Sequence, residues 1–223
     1  MSTHPVRTPS AGTRADVVRW IERDRAVAVV RTDAPEKLVR IADALREGGV
    51  VCVEVTMTVP NAIDGIRAVC DALGDGVLVG AGSVTDAETA RAAVEAGARY
   101  VVSPVFKREV IEAAHALDAA AMPGCFTPTE ILTAHEAGAD VAKVFPAGSL
   151  GPGFIQGVLA PMPHLKLMPT GGVSLDNAAQ WLRAGAVAVG AGSALVDPAA
   201  IAAGDWAQLT ANARRLRAAV DAA

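Results

Sequence analysis

Aromatic residues make up only 4% of this 223-residue chain, and lysine is scarce too, four among 20 basic residues. So few aromatics argue against a sandwich built around an aromatic core. A 52% hydrophobic fraction, dominated by alanine and valine, instead suits parallel strands covered by helices. The same fraction excludes a disordered chain, and the length fits one sizeable α/β core. Cysteine is limited to Cys52, Cys70 and Cys125, odd in number and far apart, which excludes a disulfide framework. The start Met1-Ser2-Thr3-His4-Pro5 lacks the apolar stretch of a signal peptide, so a cytoplasmic protein is expected. His4, His115, His135 and His164 are scattered without metal-ligand spacing, and no metal is expected. Net charge is -4 with acids and bases mixed, so neither nucleic acid nor a membrane surface is an expected partner. No uninterrupted apolar stretch is long enough to cross a bilayer.

What is present is a rhythm. From residue 26 onward, short β-branched or alanine-rich runs alternate with amphipathic stretches every 20 to 26 residues or so, the spacing of successive βα units. Eight strands are expected, at residues 26–31, 50–56, 76–81, 99–103, 120–123, 140–145, 165–169 and 186–191. Residues 13–24 read as an extra helix before the first strand, and residues 1–12 as a loose tail. Asp33 with Glu36, Thr85 with Glu88 and Thr127 with Glu130 have capping-box spacing at helix starts. Gly49, Gly97, Gly138 and Gly185 stand where helices end. The expectation is a single (β/α)8 TIM barrel over residues 13–223 with the extra N-terminal helix, an open doubly wound sheet being the alternative. Chemistry then belongs at the C-terminal ends of the strands.

Lys143 lies inside the apolar strand Ala139-Asp140-Val141-Ala142-Lys143-Val144-Phe145-Pro146. Burial pushes an ammonium toward the neutral amine, so such a lysine either pairs its charge or serves as a nucleophile toward a carbonyl. Alternation groups Cys52, Glu54 and Thr56 on one face of the second strand and Val141, Lys143 and Phe145 on one face of the sixth. Glu54 and Lys143 can therefore meet at the axis, as proton carrier and imine-forming amine or as a buried ion pair. The seventh and eighth strands run into Pro169-Thr170-Gly171-Gly172-Val173-Ser174 and Val189-Gly190-Ala191-Gly192-Ser193. Two glycine-rich loops side by side suit a phosphate. Ser83, after Gly80-Ala81-Gly82, is a carboxylate donor or a turn residue, and Arg31 at the end of the first strand is an anion clamp or half of an ion pair.

Glu54-Val55-Thr56, Gly80-Ala81-Gly82-Ser83-Val84, Val102-Ser103-Pro104, Pro123-Gly124, Lys143-Val144-Phe145-Pro146, Pro169-Thr170-Gly171-Gly172-Val173 and Gly192-Ser193, in this order, resemble the motif set of the 2-keto-3-deoxy-6-phosphogluconate aldolases, which include 4-hydroxy-2-oxoglutarate aldolase activity. The resemblance runs from about residue 26 to 197. It implies a class I lyase without metal or cofactor, commonly a homotrimer, that cleaves a phosphorylated keto acid to pyruvate and glyceraldehyde 3-phosphate. Lys143 would form the imine and Glu54 would move protons. Phe145 and Pro104 would pack on the pyruvyl group, Ser83 would meet its carboxylate, and Gly171, Gly172 and Ser193 would hold the phosphate. Thr56, Thr170 and Gly192 complete the expected substrate contacts. The chain departs from the family pattern at Thr58, where many members carry a substrate-binding arginine that Arg31 would replace. Arg31 and Pro60 resemble a branch acting on the galactonate epimer, whereas Thr170 before the Gly-Gly pair resembles gluconate-type enzymes, the favoured reading. Phosphate-binding barrel isomerases or synthases, and an inactive oligomeric scaffold, are the more distant alternatives.

Overall fold

The computed structural model describes residues 12–223, so nearly all of the expected N-terminal tail lies outside the described residues. Helix α1 (Arg14–Asp24) leads into β1 (Ala26–Val30), and the chain then alternates: α2 (Leu38–Glu47), β2 (Cys52–Thr56), α3 (Ala62–Leu73), β3 (Leu78–Gly82), α4 (Ala87–Glu95), β4 (Tyr100–Val102) and α5 (Arg108–Ala116). It continues through β5 (Ala120–Met122), β6 (Gly124–Cys125), α6 (Pro128–Glu136), β7 (Ala142–Val144), α7 (Pro152–Leu159), β8 (Leu167–Pro169), α8 (Ala178–Arg183), β9 (Val189–Ala191), α9 (Pro198–Ala203) and α10 (Trp206–Asp221). All eight expected strands are present, the fifth split in two at Pro123, which has no N–H to give to a ladder. No helix among the described residues is long and apolar enough to cross a membrane.

All strand pairs are parallel, in one sheet ordered β5-β4-β3-β2-β1-β9 and another ordered β6-β7-β8. The first five strands are thus neighbours in chain order, without the reversal that marks a doubly wound sheet. At the Pro123 split the Ala121 carbonyl accepts from Asp140 N (3.0 Å) and the Pro123 carbonyl from Lys143 N (2.9 Å). An isolated parallel bridge links Thr170, after β8, to Gly190 on β9. The result is an α/β fold whose parallel sheet curls around an axis.

Alternation along each strand sorts its side chains between two cores. Val53, Val55, Val79, Ala81, Val101 and Val144 pack outward under the helices. Val27, Cys52, Tyr100, Met122, Val141 and Met168 point to the axis, where Val17, Val18, Trp20 and Ile21 of α1 join them. Val51, one residue before β2, belongs to the axis core as well. Burying an Ile or Val so completely contributes roughly 1.5–3 kcal/mol each. Helix α1 thereby plugs the N-terminal ends of the strands and leaves the C-terminal ends open.

The helix signals hold in part. Thr127 accepts from Glu130 N (3.2 Å) while Glu130 accepts from Thr127 N (2.8 Å), the expected box. At α4 the cap is Asp86, accepting from Thr89 N at 2.7 Å, one residue later than Thr85. No box forms at Asp33: Thr32 accepts from Ala34 N (3.1 Å), and a 3-10 turn at Pro35–Lys37 precedes α2. Gly97 and Gly138 follow their helices with φ of +113° and +95°, the left-handed backbone expected there.

Candidate active site

Strand β2 turns Glu54 toward the axis between Val53 and Val55, which face the helices. Its neighbours in register are Val29 on β1 and Gly80 on β3, and its carboxyl leans over Gly82. Lys143 enters from β7, between Gly124 and Met168 in register. Its Nζ stands 4.0 Å from Glu54 Oε1, with Lys143 only 5% exposed and Glu54 fully buried. The Phe145 ring lies 5.0 Å from the same Nζ and reaches across Gly171. Glu54, Lys143, Phe145 and Gly171, far apart in the chain, are thus brought together.

Neither carboxyl oxygen of Glu54 has a hydrogen-bond partner among the described residues. Burial raises its pKa above the usual carboxylate value, and the Lys143 and Arg31 charges pull in the opposite direction without cancelling it. A carboxyl whose protonated form is favoured in this way is suited to take up and return a proton during a reaction. The adjacent amine is close enough to act on the same bound molecule.

Around this pair the remaining predicted residues fall into two groups. Thr170 is buried, with its hydroxyl unpartnered among the described residues and packed over Gly190. Gly171 and Gly172 follow with φ of +79° and +86°. Among the described residues the amides of Gly171, Gly172, Ser193 and Ala194 donate no hydrogen bond within the chain. Free amides at neighbouring loop ends are what an anion requires. Gly192, Ser193, Val29 and Arg31 line a cleft of about 610 Å³ between the loops after β1 and β9. Arg31 is exposed there and makes no ion pair among the described residues, so the alternative of a mouth ion pair is not realised.

The second group comes from the C-terminal ends of β2, β3 and β4. Ser83 follows β3 with φ +58°, a left-handed conformation that costs a non-glycine residue about 1 kcal/mol or more. Pro104 follows β4 with its carbonyl pressed against Gly124. Thr56 is fully buried, and its hydroxyl donates to Val30 O (3.1 Å) and shares a hydrogen bond of 2.8 Å with Thr58. Its hydroxyl therefore ties β2 to β1, and its expected role as a substrate contact rests on whatever capacity those bonds leave.

Two residues with positioning roles escaped the sequence reading. Lys37 lines the Arg31 cleft and donates to Ile201 O at 2.8 Å, at the C-terminal end of α9. Asn177 donates to Gly172 O (2.9 Å) and accepts from Ser174 N (2.7 Å), bracing the Gly-Gly loop. The Ser174-Leu175-Asp176-Asn177 run was the one local signal for Asn177. A further cavity of about 430 Å³, lined by Trp20, Arg99 and Leu117, sits at the N-terminal ends of the strands and includes neither Lys143 nor Glu54.

Known proteins resemble this chain in sequence and in fold. The family model described as "Aldolase: KDPG and KHG aldolase" matches residues 17–212. A 2-dehydro-3-deoxy-phosphogluconate aldolase of Treponema pallidum is 40% identical over 194 residues, covering 86% of this chain and 91% of that one. A 2-dehydro-3-deoxy-6-phosphogalactonate aldolase of Escherichia coli is 35% identical over 179 residues, covering 80% and 87%. Among solved structures, the KDPG aldolase of Legionella pneumophila, with pyruvate captured as a covalent carbinolamine intermediate, superposes with a TM-score of 0.83 at 27% identity, over 90% of this chain and 97% of that one.

Proposed function

Because the chain belongs to the KDPG and KHG aldolase family, we propose that it is a class I aldolase cleaving 2-keto-3-deoxy-6-phosphogluconate to pyruvate and glyceraldehyde 3-phosphate. The observation that carries this reading is the buried Lys143 amine 4.0 Å from the Glu54 carboxyl. Lys143 attacks the C2 carbonyl, and loss of water from the carbinolamine leaves a protonated imine. Glu54 removes the C4 hydroxyl proton, the C3–C4 bond breaks, and its electron pair flows into the imine to give an enamine. Glyceraldehyde 3-phosphate departs. Protonation of the enamine at C3 and hydrolysis of the imine release pyruvate and restore the amine. The protonated imine is the electron sink, so this reading calls for no metal or cofactor.

Phe145 and Pro104 enclose the pyruvyl group, Ser83 donates to its carboxylate, and Thr56 closes the pocket beside Glu54. The unpartnered amides at Gly171, Gly172 and Ser193, with Gly192, support a phosphate subsite. Arg31 in the adjoining cleft supports a second anionic contact in place of the arginine missing at Thr58. The buried, unpartnered Thr170 hydroxyl favours the gluconate epimer, since it can bond a substrate hydroxyl. Arg31 favours the galactonate epimer as the second reading; cleavage of 4-hydroxy-2-oxoglutarate is a further one.

The Thr170–Gly190 bridge and the bonds across Pro123 support a closed (β/α)8 barrel over residues 13–223 as a single domain. A homotrimer is inferred from the family resemblance alone. Sedimentation at monomer mass would remove that assembly. Unpaired cysteines and a phosphorylated substrate fit a cytoplasmic enzyme.

The decisive experiment is intact-mass spectrometry after incubation with pyruvate and borohydride. The reading expects a reduced adduct that Lys143→Met abolishes. Folded wild-type protein without an adduct would return the chain to the isomerase or scaffold alternatives. Rates with the two C4 epimers then decide the substrate.

A further inference from the structure

Tyr100 is the largest fully buried side chain of the axis core. Register aligns Glu54 with Gly80, and Gly80 with Tyr100, so the glutamate and the tyrosine flank one glycine. The tyrosine ring fills the space above Gly80 that any β carbon would need. That course carries the phenol toward β2, where Cys52 and Glu54 share the inner face. The Tyr100 hydroxyl has no partner among the described residues, nor has either Glu54 oxygen. Leaving a hydroxyl unpaired in such a place costs about 1–3 kcal/mol. Phenylalanine would fill the same volume without that cost, so packing alone gives no reason for the oxygen.

We propose that Tyr100 is a positioning residue for Glu54: its hydroxyl donates toward the Glu54 carboxylate, across a bond that a single water molecule can bridge, and holds that carboxylate in its charged form beneath the substrate. The inference rests on Glu54 being the proton acceptor. The charged and titratable groups facing the pair are Lys143 from β7, Arg31 at the end of β1, Cys52 on β2 and Asp24 at the end of α1. Burial holds the phenol protonated, and the neighbouring Cys52, Glu54 and Asp24 add to that. It is therefore a permanent donor. Lys143 and Arg31 approach the carboxyl from other strands, and Tyr100 supplies the neutral donor from below.

The test is Tyr100→Phe, with Tyr100→Met as a second variant that also fills the space without a donor. Each is expected to move the acid limb of the kcat/KM profile upward by about one pH unit and to lower kcat about tenfold near neutrality, since one pKa unit is a tenfold effect. The borohydride-trapped pyruvate adduct persists in both. In a Glu54→Gln background, Tyr100→Phe should have no further effect on rate. An acid limb that superposes on wild type, or equal losses with and without Glu54, would overturn the proposal. Loss of the adduct from wild-type protein, or full activity of Glu54→Gln, would instead overturn the aldolase reading on which it rests.

Discussion

Gly82 and Glu54 compete for one space: a β carbon on Gly82 would stand 2.6 Å from Glu54 Cδ. The glycine, two residues beyond the register partner of Glu54, is what allows the carboxyl to lean toward Lys143. The absence of a side chain on β3 thus sets the position of a side chain on β2.

Gly82→Ala should therefore displace the carboxyl while sparing the amine. Misplacing a reacting group by about 1 Å costs on the order of a hundredfold in rate, and a loss of that size in kcat is expected. Trapping of pyruvate by borohydride should survive, because Lys143 sits on the other side of the pair. Steady-state kinetics beside the trapping assay separate the two effects; an unchanged kcat would mean that Glu54 needs no such clearance.

Arg31 should be felt at Glu54 through its charge. Burial raises the Glu54 pKa, and Lys143 and then Arg31 oppose that shift. A base works deprotonated, so kcat/KM falls as pH drops through the raised value. Arg31→Met removes one opposing charge, so the acid limb should move further up. KM for the phosphorylated substrate should also rise tenfold or more, in line with the loss of about 1.5–3 kcal/mol of charge-assisted hydrogen bonding. Arg31→Lys restores the charge and should return the limb toward wild type while leaving part of the KM defect. A pH–rate profile for each variant checks this, and a limb unmoved in Arg31→Met would mean that the guanidinium acts on substrate alone.

The inward direction of Glu54 and Lys143 was readable because alternation along a strand is a local property, and so were the eight strands, whose apolar runs recur between glycine-marked helix ends. What depended on contacts between distant segments was not readable. Tyr100 looks like one more apolar strand residue until the register puts it across Gly80 from Glu54. Lys37 and Ile201, 164 residues apart, meet only once the loops after β1 and β9 are side by side. Asp86 displaced Thr85 as a cap because either side chain fits the same sequence signal, and the choice lies in backbone angles. Residues 13–24 read as a helix, but their amphipathic face does not say that they will cover the floor of the axis.

Stability should carry its own pH signature, set at the floor of the fold. Asp24 ends α1 with a side chain 14% exposed and Oδ2 unpartnered among the described residues, while Arg217 donates to its carbonyl oxygen at 2.6 Å. Burial pushes its pKa from 3.8 up to about 6, the Arg217 charge opposing only part of that. The folded state therefore prefers the protonated acid. This contribution is fully present below pH 3.8 and is lost as pH rises through about 6. A shift of about two units corresponds to roughly 3 kcal/mol. Asp86 and Glu130, whose pKa values are lowered by amide donors at helix starts, act with the opposite sign and only in acid, and both are nearly fully solvated. Asp24→Asn is neutral throughout, so its Tm should exceed that of wild type at pH 8 by roughly 6–12 °C for a chain of this size. The two should converge as pH approaches 4. Thermal unfolding across pH 4–8 measures the difference directly. A gap that does not change with pH would show that Asp24 stays charged in the fold and that Arg217 compensates its burial in full.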